Sequence, residues 1–193
     1  MLAAAERHTA DVVYGRREFV LPDTFWATAP DQGKHAEGQE LDYAATHNVL
    51  IAGHLARHRF DERRTHGEDT DFFYRAKLAG SRIVFSAEPL VLETVPPERA
   101  TLWYQAKRSY YYAASRTHFH RRYRGLGMAA GKVAIRFVWQ APVAVVRVAI
   151  APALWPFHRQ RFKVNVLKGA RRLMGAAGAI AGLCGFAGNP YRR

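Results

Sequence analysis

Cysteine is nearly absent from this 193-residue chain, and negative charge is absent from its second half. Cys184 stands alone, which excludes a disulfide framework and a multi-thiolate metal centre. Its place in the apolar stretch 176–187 predicts a buried, inert thiol. All sixteen acids lie at or before Glu98 with eleven of the 29 Lys and Arg, so residues 1–98 carry −5. The 95 residues that follow hold eighteen Lys and Arg and no acid. No internal repeat of solenoid length is present. Met1 to His8 lacks the basic start and apolar core of a secretion signal and, being Ala-rich, predicts the end of a helix.

Two chemically different halves are thus joined. A basic half without acids expects an anionic partner: nucleic acid, a nucleotide diphosphate or an anionic membrane surface. Long apolar runs interleave with the charges, whereas nucleic-acid arms are polar throughout, so a membrane is favoured and nucleic acid is not expected.

Along the first half, residues 11–14 and 19–21 read as extended structure around Gly15. Pro22 to Gln39 reads as a loop and a candidate mobile flap, punctuated by Pro30, Gly33 and Gly38. Thr46 to Ile51 predicts a strand, Arg82 to Phe85 another, and Pro89, Pro96 and Pro97 bound the next connection. From Glu98 a longer helix is expected through Trp103 and Tyr110 toward His118. Gly67-Glu68-Asp69-Thr70-Asp71-Phe72 places three carboxylates within four residues as a helical pattern begins, with Phe72, Ala76 and Ala79 on one face and Gly80 after it. Acids in a first turn gain roughly 0.3 to 1 kcal/mol each from the helix dipole, so the charges alone require no catalysis.

The order and spacing of several motifs add to this. Thr46-His47-Asn48-Val49-Leu50, Phe60-Asp61-Glu62-Arg63, the Glu68-Asp69 block and Ala79-Gly80-Ser81-Arg82-Ile83-Val84 together resemble the acceptor half of family 2 glycosyltransferases. The resemblance implies a GT-A fold, an open α/β sheet, and a Glu-Asp pair that closes the sugar-transfer site. It implies that Asp69 is the general base of an inverting displacement. Residues 2–13 resemble the helix and strand that follow the family's Asp-x-Asp metal motif. That motif and the donor-binding half are expected to be missing, since Asp69-Thr70-Asp71 aligns elsewhere. A divalent cation, Mg or Mn, is implied by the family, with its principal ligands missing from this chain.

The chemistry suits a carboxylate. Transfer from a nucleotide sugar needs a base to take the acceptor hydroxyl proton as oxygen attacks the anomeric carbon. Glu68 and Asp71 would raise the proton affinity of Asp69 by like-charge repulsion, while the helix N-terminus would lower it. Glu68 and Asp71 would also bind acceptor hydroxyls.

Gln105 and Arg108, at i and i+3, sit where membrane-linked members of the family carry a Gln-x-x-Arg pair beside the diphosphate, although Ser109 replaces the usual aromatic. A solvated helix face is the other reading. His54, His58 and Glu62 have zinc-like spacing, but a turn near residues 60–63 is expected to break their common face. Gly125 to Gly131 reads as a break before the tail rather than a dinucleotide loop, because neither a strand before it nor an acid after it is present.

Val133 to Phe157 is apolar apart from Arg136, Gln140 and Arg147, with three prolines. Arg136 and Arg147 are eleven residues apart, about three turns, so one basic line along an apolar helix is expected at a membrane interface. Phe162, Val166, Ala170 and Leu173 form a second amphipathic pattern, which fits either a membrane surface or a helix packed on the protein. Gly175 to Gly188 fits a weakly apolar hairpin or a disordered run.

The resulting expectation is an α/β, partial GT-A-like fold followed by an all-α membrane-associating region. Residues 1–98 would form half of a catalytic domain, 99–124 a linking helix, and 125–193 basic membrane-associating helices on the cytoplasmic face. The partners expected are a nucleotide-sugar donor, a saccharide or lipid-linked acceptor and an anionic membrane surface. The alternative is an inactive remnant acting only as a cationic membrane-binding fragment.

Overall fold

The computed structural model describes residues 1–30, 33–62 and 66–186. The chain divides into two compact units: Met1–Leu21 with Ala29–Val95, and Pro22–Thr28 with Pro96–Arg193. The fold is mixed, with a small sheet in the first unit and long helices in the second.

The first unit holds helix α1 (Leu2–His8), strand β1 (Val12–Val20), strand β2 (Val49–Ile51), a short 3-10 turn (Gly53–Arg57), helix α2 (Glu68–Leu78) and strand β3 (Ile83–Thr94). The sheet order is β2-β1-β3, with β2 antiparallel and β3 parallel to β1. Side chains alternate across a strand, so Val12 and Ile83 enter one core with Leu55, Phe72, Phe73 and Ala76, while Val13 and Val84 face Ala4 of α1. Both faces of the sheet are therefore covered, as its short, nearly all-apolar inner segments require.

A bulge shapes the middle of this sheet. Gly15 pairs with Ser86, but Arg16 pairs with Leu90, so Ala87, Glu88 and Pro89 loop out of β3. Asn48 fills the gap, its Nδ2 donating to the carbonyls of Arg16 (2.7 Å) and Pro89 (3.0 Å). Gly15 donates its N–H to the Asn48 carbonyl at 2.8 Å, and a Cβ there would stand 2.4 Å from Asn48 Nδ2. The expected strand 82–85 thus runs on to Thr94 because pairing resumes beyond the bulge. Pro89 lies within the strand rather than bounding it, at a position that needs no ladder N–H.

In the second unit, helix α3 (Leu102–Ile135) starts at Thr101, whose hydroxyl accepts from the Tyr104 N–H at 3.2 Å. It bends sharply at Gly125 (φ 84, ψ 163), so the break expected there is one residue, and the glycines beyond it are helical. A π-helical turn (Arg136–Gln140) leads into α4 (Ala141–Leu154), and α5 (Arg159–Leu183) follows. Segment 99–124 therefore belongs with the later helices in one unit.

The glycines of α5 are contact positions, which corrects the hairpin or disorder expected for 175–188, of which 187 and 188 lie outside the described residues. A Cβ at Gly178 would sit 2.0 Å from the Tyr110 carbonyl oxygen, and one at Gly182 2.1 Å from that of Ala114. Only glycine permits backbones to approach this closely. Arg136 and Arg147 share a face as expected, but that face turns toward α5, donating to the Gly175 carbonyl (3.2 Å) and Asn165 Oδ1 (2.9 Å). Along these helices Val138, Trp139, Val145, Val146 and Ile150 are exposed, Trp139 by 71%. The helical stretch Leu102–Leu154 is long and apolar enough to cross a membrane, by length and composition.

Residues 22–28 are held in this second unit, against the flap expected for 22–39. Phe25 and Trp26 pack on Trp155 and Phe162, and Lys163 Nζ donates to the Ala27 carbonyl at 2.9 Å. Within the first unit Gly38 N–H donates to the Phe85 carbonyl at 2.9 Å.

Candidate functional site

The acidic turn is the start of α2, entered through Gly67 at φ +76. That left-handed residue lets the chain swing from the preceding loop into the helix without a side-chain cap. Glu68, Asp69 and Asp71 fall in the first turn as expected, but their environments differ.

Asp69 is half-buried, and its Oδ1 accepts from the Thr70 N–H (2.7 Å) and the Thr70 hydroxyl (3.4 Å). Burial pushes its carboxyl above the ordinary carboxylate range; the Thr70 N–H opposes this, and the Glu68 charge adds to the rise. The contest left open by the sequence is decided by desolvation, which is the largest effect. Oδ2 takes no hydrogen bond among the described residues, leaving one oxygen able to accept a proton. Glu68 Oε2 is buried without a hydrogen-bond partner among the described residues.

Asp71 is 0% exposed and accepts from Arg75 Nε at 2.9 Å, while Arg75 Nη2 donates to the Arg59 carbonyl at 2.7 Å. Phe60 stacks on Phe72 at 4.6 Å. Asp71 thus fastens α2 to the 59–60 loop and faces inward, away from any acceptor hydroxyl; the apolar neighbours Phe72 and Phe73 pull that side of the helix into the core. Arg63 of the expected motif lies outside the described residues.

These residues do not fit a divalent-cation centre. Asp71 is committed to Arg75, one Asp69 oxygen to Thr70, and no group of three His, Cys, Asp or Glu side chains converges among the described residues. His54 Nε2 lies 3.4 Å from Asp11 Oδ1, and His58 is extended beyond the 3-10 turn, so the three zinc-spaced residues do not share a helix face.

The chain is similar to the succinoglycan biosynthesis protein ExoM of Rhizobium meliloti (strain 1021), 32% identical over 156 residues. That match covers 76% of this chain and 46% of the relative, so the chain spans about half the relative's length. No protein-family model matches. No solved structure matches.

His47 and Asn48 hold the sheet around β1, and sequence reasoning gave neither a role. His47 Nε2 is 3.0 Å from the Tyr14 hydroxyl, and burial, aided by the Arg17 charge, lowers its imidazole to about 4. It is therefore neutral at neutral pH. The pairing depends on Tyr14 lying opposite Val49 in the β1–β2 register, which no short motif encodes. Glu37 closes the same bulge from outside, Oε2 accepting from the Ala87 N–H at 2.7 Å, and this bond holds its carboxyl below the usual range.

In the second unit the expected Gln105–Arg108 pair separates. Gln105, 7% exposed, donates to the Trp26 carbonyl at 2.8 Å and accepts from Thr28 Oγ1 and Arg171 Nη2. It pins residues 26–28, its oxygen accepting twice and one of its N–H groups donating within the unit. Arg108 points to solvent. Two shallow concavities lie in this unit, one lined by Phe25, Trp26, Pro152, Trp155 and Phe162, the other by Pro142, Val146, Arg147 and their neighbours; Asp69 lines neither. Cys184 is exposed, correcting the buried thiol expected, because α5 ends there and Gly185 turns the chain away at φ +92.

Proposed function

We propose that this chain is the acceptor-side part of a GT-A-type, inverting family 2 glycosyltransferase that moves a sugar from a nucleotide-sugar donor to a lipid-linked or cell-envelope acceptor. The observation that carries the reading is Asp69: a half-buried carboxylate with raised proton affinity, fixed through one oxygen by Thr70, with no bond to the other among the described residues. The similarity to a succinoglycan biosynthesis protein supports it. Asp69 takes the proton from the acceptor hydroxyl as that oxygen bonds to the anomeric carbon. The bond to the nucleoside diphosphate breaks on the opposite face, inverting the centre. Glu68 raises the proton affinity of Asp69 and meets the acceptor; Asp71 holds the helix. Arg108 is the cation of its pair that remains available to a diphosphate.

The exposed apolar face of α4 with its Trp139 and Trp155 flanks, and the acid-free basic half, support association with an anionic membrane on its cytoplasmic side. Membranes carrying the wild-type protein should transfer labelled sugar into a lipid-extractable product, and membranes carrying Asp69→Asn should not. Equal, background-level transfer by both, with retained vesicle binding, would favour the alternative of a cationic membrane-binding fragment.

A further inference from the structure

Residues 22–28 are fastened within the helical unit by three side chains. Gln105 Nε2 donates to the Trp26 carbonyl at 2.8 Å, Lys163 Nζ to the Ala27 carbonyl at 2.9 Å and Arg171 Nη2 to the Thr28 hydroxyl at 3.0 Å. The fastening presents two adjacent rings, Phe25 and Trp26, to Trp155 and Phe162. The four rings touch in a closed circuit: Phe25 to Trp26 at 4.9 Å, Trp26 to Phe162 at 6.3 Å, Phe162 to Trp155 at 4.7 Å and Trp155 to Phe25 at 6.1 Å between centroids. Three of these contacts are edge-to-face, the favoured geometry of aromatic pairs. With Pro152 the rings line a shallow concavity of about 540 Å³, within the roughly 300 to 1,000 Å³ of small-molecule sites. The circuit does not bury itself, since Phe25 remains 41% and Trp155 43% exposed. Aromatic surface left in water at a fixed concavity marks a place for an apolar ligand.

The lining selects that ligand. All five side chains are apolar apart from two indole N–H groups, so a sugar would find rings to stack on and almost no partners for its hydroxyls. A hydrocarbon chain needs none. Two cations stand against the rings themselves: Arg159 Cζ is 5.1 Å from the Trp155 centroid and Lys163 Nζ 5.8 Å from that of Phe25. They lie at i and i+4 near the start of α5, on one side of the helix. Lys163 has three N–H donors, of which the Ala27 carbonyl takes one. Positive charge at the edge of a hydrocarbon site complements a phosphate at the end of the chain. With the cations this close to the rings, the phosphate has to be joined to the chain directly. In a glycerophospholipid ester groups intervene, and their carbonyls would fall among side chains that offer at most the two indole donors. In a polyprenyl phosphate the first isoprene unit follows the phosphate without a spacer, and its flat alkenes and methyl branches fit between rings set edge to face.

We propose that Phe25, Trp26, Pro152, Trp155 and Phe162 bind the first isoprene units of a polyprenyl phosphate, with Arg159 and Lys163 on its phosphate. The proposal rests on the reading of a lipid-linked acceptor and names the class of that lipid. The site lies wholly in the helical unit and does not depend on Asp69.

The full chain in phosphatidylcholine nanodiscs is irradiated with a diazirine-bearing farnesyl phosphate, and the labelled peptides are mapped by mass spectrometry. Label should concentrate in peptides holding residues 25–26 and 152–162, and should exceed that from the matching farnesol probe, which lacks the phosphate. Unlabelled polyprenyl phosphate should displace it at a concentration about tenfold or more below that needed of dioleoyl phosphatidic acid. Arg159→Gln, which leaves every bond that fastens residues 22–28 in place, should lower the label about threefold or more. Arg161→Gln, an exposed cation two residues along the same helix, should change it less than about twofold. Trp155→Ala should lose most of the label and Trp155→Phe regain most of it, with thermal midpoints reporting whether either has unfolded; Arg159→Gln decides the matter if both have. Asp69→Asn should be labelled as wild type is. Labelling of the pocket in membranes that transfer no sugar would sink the transferase reading and keep the lipid site, whereas sugar transfer without pocket labelling would sink the site alone. Label spread evenly along α4 and α5, equal displacement by dioleoyl phosphatidic acid, or wild-type labelling of Arg159→Gln would overturn the proposal.

Discussion

Replacing Asn48 tests how the bulge between β1 and β3 is held. In Asn48→Ala the carbonyls of Arg16 and Pro89 both lose a donor at a buried position, and at about 1 to 3 kcal/mol each the sheet loses roughly 2 to 6 kcal/mol. The Gly15 N–H bond to the residue 48 carbonyl is main-chain and survives, which limits the loss. Asn48→Asp separates donor from shape. An ionised carboxylate there faces two carbonyl oxygens, so the variant should be less stable than Asn48→Ala at neutral pH. Its folded-state pKa is raised, the folded state binds more protons than the unfolded, and stability relative to wild type is therefore highest at acidic pH and falls as pH rises. The assay is amide hydrogen exchange of peptides spanning 12–20 in wild type and both variants at acidic and neutral pH. Protection of β1 in Asn48→Ala within about 0.5 kcal/mol of wild type, the spread of ordinary surface substitutions, would refute the reasoning. So would an Asp variant as protected as the Ala variant at neutral pH.

Other outcomes follow from the same geometry. Gly178→Ala with Gly182→Ala forces a Cβ into the carbonyls of Tyr110 and Ala114, costing about 1 to 3 kcal/mol each and lowering the thermal midpoint of the helical unit in a calorimetric scan. Asp71→Ala strands Arg75 and frees the 59–60 loop, a loss of about 3 kcal/mol with faster exchange of α2 and no gain of activity. His47, held neutral to about pH 4, is protonated more readily in the unfolded chain, so its contribution, on the order of 2 kcal/mol after screening, is present above its ordinary value near 6.5. That stability is lost as pH falls toward 4. His47→Phe should flatten this acid limb in urea titrations from pH 7 to 4, beyond what the Tyr14 contact alone explains.

Periodicity and punctuation made α1, α2, the start of β3 and the Gly125 break legible, because each is fixed by local pattern. The extension of β3 past Pro89 was not, since it depends on Asn48 reaching across from another segment. Charge and apolar runs revealed a helical basic half, yet the same pattern fits a membrane surface and a packed helix. The decision lies in Gly169, Gly178 and Gly182, whose meaning is the approach of α3 and α4 backbones. At the site, Asp69 and its helix were readable from three clustered acids. The inward turn of Asp71 and the engagement of Gln105 by Arg171 were not, because Arg75 at i+4 and Arg171, 66 residues away, supply their partners only in the folded chain.

The central claim is that Asp69 is the base of sugar transfer. The measurement that bears on it most directly is the pH dependence of transfer from the nucleotide sugar by membranes carrying wild type and Asp69→Asn at matched protein levels. The wild-type rate should rise with pH through an ionisation above the ordinary carboxylate range, and Asp69→Asn should lose about 10²- to 10⁴-fold at its plateau, the usual contribution of a general base. An Asn variant that transfers sugar at the wild-type rate would contradict the account.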